Sequence, residues 1–308
     1  MKHRSPHDRI LVTGSKGQLG RELQHQGRTF GFDIIGIDIE ELDITNIEAV
    51  ETYFEKIEVS AVINTAAYTA VDQAESEPEL TFAVNKDGAA NLAILCNHHS
   101  IPLIHVSTDF VFDGSKKGAY METDPVSPIG VYACSKAQGE KEVIKQATKY
   151  IIIRTAWLYG VHGNNFVNTM LRLGREKSEL KVVNDQTGCP TYAQDLAAGI
   201  LGICRQLIVR EAAAPWGVYH YCGKGHTTWY GFAKKVFALA WTYEEMAVKS
   251  VWPISTREYP TPAVRPGNSV LDCRKIERVF GLERKPWEES LESMLKRLYM
   301  EQILKTNN

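Results

Sequence analysis

The sequence has no run of 18 consecutive apolar residues, so no segment reads as a transmembrane helix. It has little excess charge of either sign. The 35 Lys and Arg against 37 Asp and Glu give a formal net charge of −2, which argues against nucleic acid or an anionic membrane as the main partner. Cysteine is sparse: Cys96, Cys134, Cys189, Cys204, Cys222 and Cys273 include no C-x-x-C pair. That pattern fits incidental or buried thiols in a reducing compartment, and a cytoplasmic protein is expected. Internal repeats and low-complexity linkers are absent. The polar, basic stretch from Met1 to Arg9 lacks the apolar core and cleavage site of a signal peptide. His98-His99 close a helix-like stretch with no acidic partner at metal spacing and read as a solvated helix end.

What is present is an alternating pattern. Short apolar runs at Ile10–Thr13, Asp33–Ile37, Ala61–Asn64, Leu103–Ser107 and Tyr150–Arg154 read as strands. Between them, Gln18–Gln26, Ile47–Lys56, Pro78–His98 and Tyr132–Ala147 read as helices. Continuous apolar strands joined by helices imply a parallel sheet covered on both faces. The expected fold is α/β: a Rossmann-type doubly wound parallel sheet with a smaller mixed α/β substrate-binding lobe. After Trp157 the pattern loosens, with helices expected at Ala193–Leu207, Thr228–Ala240 and Trp287–Lys305 and a strand at Val218–Tyr221. For 308 residues, 44% of them hydrophobic, two bodies are expected. Residues 1–160, with about 186–222 added, would bind the dinucleotide, and residues 161–308 would mainly form the second, interleaved lobe.

Gly14, Gly17 and Gly20 follow the first strand at a spacing that allows a sharp turn, close approach to a pyrophosphate and tight helix–strand packing. The helix beginning near Gln18 would point its N–H groups at the phosphates. Asp38, at the end of the second strand, would accept hydrogen bonds from the adenosine ribose and disfavour a 2′-phosphate. Lys16 and Arg21 lie close enough in sequence to offset it, which leaves NADPH and NADH both open. Asp43 and Ile44 would flank the adenine, and the small residues of Asn64-Thr65-Ala66-Ala67-Tyr68 leave room for a cofactor across the sheet edge.

Tyr132 and Lys136 are four residues apart, on one face of a helix. Reduction of a carbonyl by hydride needs a proton for the developing alkoxide. Tyr132 would deliver it if nearby positive charge from Lys136 lowered its pKa. Thr108, at the end of the fourth strand, would polarise the carbonyl. Trp157, Asn165 and Arg265 carry groups that would stack on a ring or pair with a diphosphate, or would simply pack or cap the second lobe.

These patches resemble the extended short-chain dehydrogenase/reductases, and within them the dTDP-4-dehydrorhamnose reductase group. The resemblance runs through Gly14–Gly20, Asn64–Asp72, Ser107–Gly114, Tyr132–Lys136, Arg154–Gly160, Asn164–Val167, Asp185–Tyr192 and Arg265–Ser269, nearly the whole length. It implies an NADPH- or NADH-dependent oxidoreductase acting on a small-molecule dTDP-sugar, with Tyr132 as proton donor and Lys136 and Thr108 assisting. Gly14, Gly17, Gln18, Leu19, Gly20, Asp38, Asp43, Ile44, Ala66, Ala67, Tyr68, Val106, Tyr132 and Lys136 would bind the cofactor. Thr69, Thr108, Asp109, Trp157, Asn165 and Arg265 would bind the substrate. The group also brings a homodimer and Mg2+, for which Glu22 is the matching position.

Phe110 departs from the group's usual tyrosine after Thr-Asp, which removes one hydroxyl from the sugar site. Sugar-nucleotide dehydratases carry an acid there, so dehydration is not expected. Two alternatives stay open. A regulatory subunit like that of methionine adenosyltransferase would keep the fold without the chemistry, and a reductase or epimerase of another sugar nucleotide would need the same Tyr132 and Lys136.

Overall fold

The computed structural model describes residues 9–210 and 214–306. The first eight residues of the basic N-terminal stretch, together with 211–213 and 307–308, lie outside the described residues. The first half runs β1 (Arg9–Thr13), α1 (Gln18–Gly27), β2 (Asp33–Ile37), α2 (Ile47–Phe54), β3 (Ala61–Asn64), α3 (Val71–Ala74), α4 (Pro78–Phe82), a π-helical segment (Ala83–Gly88), α5 (Ala89–His98), β4 (Leu103–Thr108), α6 (Val131–Gln146) and β5 (Tyr150–Thr155). The second half adds β6 (Leu158–Tyr159), α7 (Phe166–Glu176), β7 (Glu179–Val183), β8 (Thr187–Gly188), β9 (Thr191–Tyr192), α8 (Ala193–Arg210), β10 (Gly217–His220), β11 (Thr227–Thr228), α9 (Trp229–Ala240), β12 (Ser250–Ile254), α10 (Arg274–Phe280) and α11 (Trp287–Thr306).

Six strands pair in the order β10-β5-β4-β3-β1-β2, every pairing parallel. The strand order reverses between β1 and β3, and ligands bind outside the carboxyl ends of strands at such a point. The strands are apolar because both faces are covered. On one face Ile10, Val12, Ile63, Ile104 and Ile153 pack with Leu19 and Leu23 of α1, Leu196 and Ile200 of α8, and Ile276 and Phe280 of α10. On the other, Leu11, Val62, Leu103 and Ile152 pack with Val50 and Phe54 of α2, Leu92 and Cys96 of α5, and Val143 of α6. The α/β doubly wound expectation holds. The cysteines scattered in sequence are partly gathered in space, with Cys222 Sγ 3.4 Å from Cys273 Sγ. No helix of the described residues is long and apolar enough to cross a membrane.

A second apolar cluster joins α7, α9 and α11 to β7, through Val167, Leu171, Val182, Phe232, Val236, Leu291 and Leu295. Here the structure adds what the sequence pattern did not show: α7, and the parallel pairing of β7 with β12. The single helix expected over Pro78–His98 is also interrupted. Six residues, Ala83–Gly88, take π-helical form between α4 and α5, a local widening that often marks functional sites.

Candidate active site

The carboxyl ends of the sheet open into a cleft of about 860 Å³. At its first wall, Gly14 has φ +67°, in the left-handed region that disfavours any residue with a Cβ. A Cβ there would stand 2.6 Å from the backbone nitrogen of Ala66. Gly17 leads into α1 with no side chain capping the helix, so the first N–H groups of a ten-residue helix face the cleft. Gly20 lies beneath the turn, where a Cβ would meet the Gly14 carbonyl at 2.4 Å. A backbone with this clearance, uncapped amides and an acidic residue beyond fits a dinucleotide. Asp38 Oδ2 accepts from the backbone nitrogen of Lys16 at 2.8 Å, and the Lys16 ammonium turns away to Glu40, also at 2.8 Å. The Glu40 carboxylate holds the Lys16 pKa above its usual value. Gln18, Leu19, Asp43, Ile44, Ala66, Ala67, Tyr68 and Val106 all line the same cleft.

Asn85, inside the π-helical segment, has no counterpart among the residues expected from the sequence. Its amide accepts from the Tyr68 nitrogen at 2.8 Å and donates to the Tyr68 carbonyl at 3.0 Å. It also donates to Ser135 Oγ at 2.9 Å, tying the cofactor wall to α6 between Tyr132 and Lys136. An Asn within a helical pattern gives no sequence signal for such a clamp.

Tyr132, Lys136, Thr108 and Asp109 meet in the cleft. Burial pushes the Tyr132 phenol up to about 12; the Thr108 hydroxyl opposes that shift and the Asp109 carboxylate adds to it. The direction is opposite to the lowering expected from Lys136, burial is its main cause, and the phenol stays protonated at neutral pH. Lys136 is itself brought down to about 8, by burial first and against the attraction of Glu140. Its Nζ donates to the carbonyl of Val106 at 2.7 Å. Thr108 Oγ1 donates to Asp109 Oδ1 at 2.9 Å and accepts from the Phe110 nitrogen at 3.2 Å. Burial raises Asp109 to about 6, with the hydroxyls of Ser269 and Thr108 opposing. The Phe110 ring stands edge-on to Tyr132 at 5.8 Å and 78°.

On the far wall, Trp157 is one of two described non-glycine residues with positive φ, at +47°. Such a backbone costs about 1–3 kcal/mol and persists only where packing holds it. Here the indole lies flat on Trp229, 3.5 Å apart and 6° from parallel, and covers Gly188, where a Cβ would be 2.4 Å from the ring. Trp229, which the sequence reading missed, lines the cleft together with Phe166 and donates Nε1 to Gln186 at 3.1 Å. Thr69 lines the cleft as well.

Three expected site residues come out differently. Asn165 does not line the cleft. Its Oδ1 caps α7 through Asn168, and its Nδ2 donates to Gln18, Gly160 and His162. These bonds order the loop that carries Asn164 and Phe166. Arg265 does reach the cleft, yet its guanidinium is held by Asp72 at 2.8 Å and by Thr261 at 2.5 Å, so a phosphate would compete with Asp72 for it. Glu22, the candidate Mg2+ ligand, is 1% exposed, and both its oxygens accept from Arg297 at 2.8 and 2.9 Å. A guanidinium already takes the place a cation would fill, and no group of three or more metal-binding side chains occurs among the described residues.

The profile of the RmlD substrate binding domain matches residues 8–300. A dTDP-4-dehydrorhamnose reductase of Aggregatibacter actinomycetemcomitans is 42% identical over 291 residues, 93% of this chain and 98% of that protein. The crystal structure of a dTDP-4-dehydrorhamnose reductase from Bacillus anthracis in complex with NADP superposes with a TM-score of 0.86 at 40% identity, covering 94% of this chain and 99% of that one. The crystal structure of a dTDP-4-dehydrorhamnose reductase from Clostridium acetobutylicum gives 0.87 at 41%, with the same coverage.

Proposed function

This chain belongs to the RmlD family of dTDP-4-dehydrorhamnose reductases, and we propose that it reduces the C4 keto group of dTDP-4-dehydro-L-rhamnose to give dTDP-L-rhamnose. The observation that carries the reading is one cleft holding a cofactor-sized glycine turn and, across it, a protonated phenol with a hydroxyl beside it. The Gly14–Gly20 turn, Asp38, Asp43 and the Ala66–Tyr68 wall would hold NADPH or NADH. The NADP-bound relative supports NADPH. When bound, the cofactor supplies the hydride that adds to C4.

Thr108 donates its hydroxyl proton toward the substrate carbonyl, giving up the bond it makes to Asp109. Tyr132 then protonates the oxygen as the carbonyl carbon is reduced. Its high pKa ensures that it enters the reaction with its proton, and the Lys136 ammonium stabilises the phenolate left behind. Trp157 and Trp229 would wall the sugar-nucleotide end, and Phe110 sets an apolar ring edge-on to the Tyr132 ring. We assign residues 9–160 and about 186–222 to the cofactor body and the α7–β7–α9–β12–α11 cluster to the substrate lobe. Tyr132→Phe tests the assignment: turnover of the keto sugar falls about a hundredfold or more while cofactor affinity stays within about twofold. Wild-type turnover in that variant removes the proton donor from the account.

A further inference from the structure

Beneath α6, the carboxyl end of the sheet carries a buried polar layer. Strand alternation puts Leu103, His105 and Ser107 of β4 on one face. Leu103 packs there with Val143 of α6, so His105 and Ser107 lie under the same helix that carries Lys136. The hydrogen bonds fix the His105 ring. Asn64 Oδ1 accepts from Thr13 Oγ1 at 2.8 Å and from the Ala66 nitrogen at 3.1 Å. The amide nitrogen of Asn64 is therefore the atom facing His105 Nδ1, at 3.1 Å. Nδ1 accepts, so in the neutral ring the proton sits on Nε2.

That Nε2 and Ser107 Oγ are both buried without a hydrogen-bond partner among the described residues. His105 is 1% exposed and Ser107 3%. An orphaned buried donor is costly unless something accepts from it. Lys136 Nζ is bonded to the carbonyl of Val106, the residue between them. An ammonium and an imidazole N–H are both donors and cannot pair directly. One water accepting from each and donating to Ser107 Oγ would make the three bonds usual for a buried water.

We infer that His105 and Ser107 hold one buried water against the Lys136 ammonium, and so act as positioning residues for the lysine that serves Tyr132. This rests on the reductase reading of Lys136. The ring is kept neutral by burial and by the Lys136 charge facing it, which leaves it a donor. Of the other charged or titratable groups nearby, Glu140 on α6 favours the Lys136 charge, Arg154 on β5 is bonded to that Glu140, and Tyr132 and Asp109 line the cleft with Lys136. Glu140 does not supply the missing acceptor, since both its oxygens accept from Arg154.

The water accepts from the ammonium and favours its charged form, so removing either anchor makes Lys136 easier to deprotonate. His105→Leu and Ser107→Ala should each move the alkaline limb of the kcat–pH profile downward by about one unit. His105→Gln, whose amide supplies an acceptor for Asn64 and an N–H for the water, should restore most of it. Ser107→Ala decides the question if His105→Leu fails to fold. A crystal structure of the unmodified chain should show one ordered water within hydrogen-bond distance of Nζ, Nε2 and Oγ. A limb that stays in place in Ser107→Ala, or no water at those three atoms, overturns the inference. The density is informative whatever the substrate proves to be. If the unmodified chain turns over no 4-keto sugar nucleotide, the functional reading fails separately.

Discussion

Replacing Gly14 by Ala separates two costs that the glycine turn avoids. The first is backbone strain: φ is +67°, and a residue with a Cβ pays about 1–2 kcal/mol in that region. Gly31, at φ +83° with nothing within 4 Å of a Cβ, isolates that term, so Gly31→Ala should cost about 1–2 kcal/mol and no more. At Gly14 the added methyl also meets the backbone of Thr65 and Ala66 at 2.6 to 2.8 Å. Those are main-chain atoms of the cofactor wall, and they cannot rotate away as a flexible side chain would. Overpacking of this kind adds about 1–3 kcal/mol, for a total of about 2–5 kcal/mol. The wall and the turn must shift apart across the space where the cofactor binds, and a loss of 1.4 kcal/mol or more there is at least tenfold in affinity. Urea unfolding of both variants, with fluorescence titration of NADPH, reads the two effects. The reasoning is refuted if Gly14→Ala is no less stable than Gly31→Ala and binds NADPH as the unmodified chain does.

Lys136→Met should separate stability from function. Burial depresses the folded Lys136 pKa to about 8 from 10.5, so the unfolded chain binds more protons between those values and this residue's contribution to stability rises with pH across that window. Below pH 8 its charge is a net burden on the fold, and the methionine variant should be more stable at pH 7 by about 1–3 kcal/mol while losing turnover; a lower melting temperature at pH 7 contradicts this. Asp38→Asn removes the carboxylate that the proposed binding mode sets against the adenosine ribose, and the ratio of NADPH to NADH affinity should rise about fivefold or more; an unchanged ratio in side-by-side titrations places the discrimination elsewhere.

Strands and helices dominated by local pattern were legible in the sequence. Asp33–Ile37 and Ala61–Asn64 form strands with the expected bounds, because short apolar runs need no distant information, whether half-buried at the sheet edge like the first or fully buried like the second. The pairing of Tyr132 with Lys136 on one helix face was legible for the same reason, as it depends on spacing alone. What escaped depends on contacts distant in sequence. β12 carries Pro253 and has exposed positions, and only its pairing with β7 makes it a strand. Trp229 becomes part of the cleft because Trp157, 72 positions earlier, stacks on it. For Asn165 the residue type left ligand contact and capping both open, and only the fold shows its helix-capping geometry. The upward direction of the Tyr132 pKa was not legible because its main cause, burial, is a tertiary property.

The most direct test of the central claim follows NADPH absorbance as the purified chain meets dTDP-4-dehydro-L-rhamnose generated in place, with the sugar product identified by mass and NMR. The account predicts one NADPH consumed per sugar and a new hydroxyl at C4. Tight NADPH binding without consumption, or a product still carrying the C4 carbonyl, would contradict it.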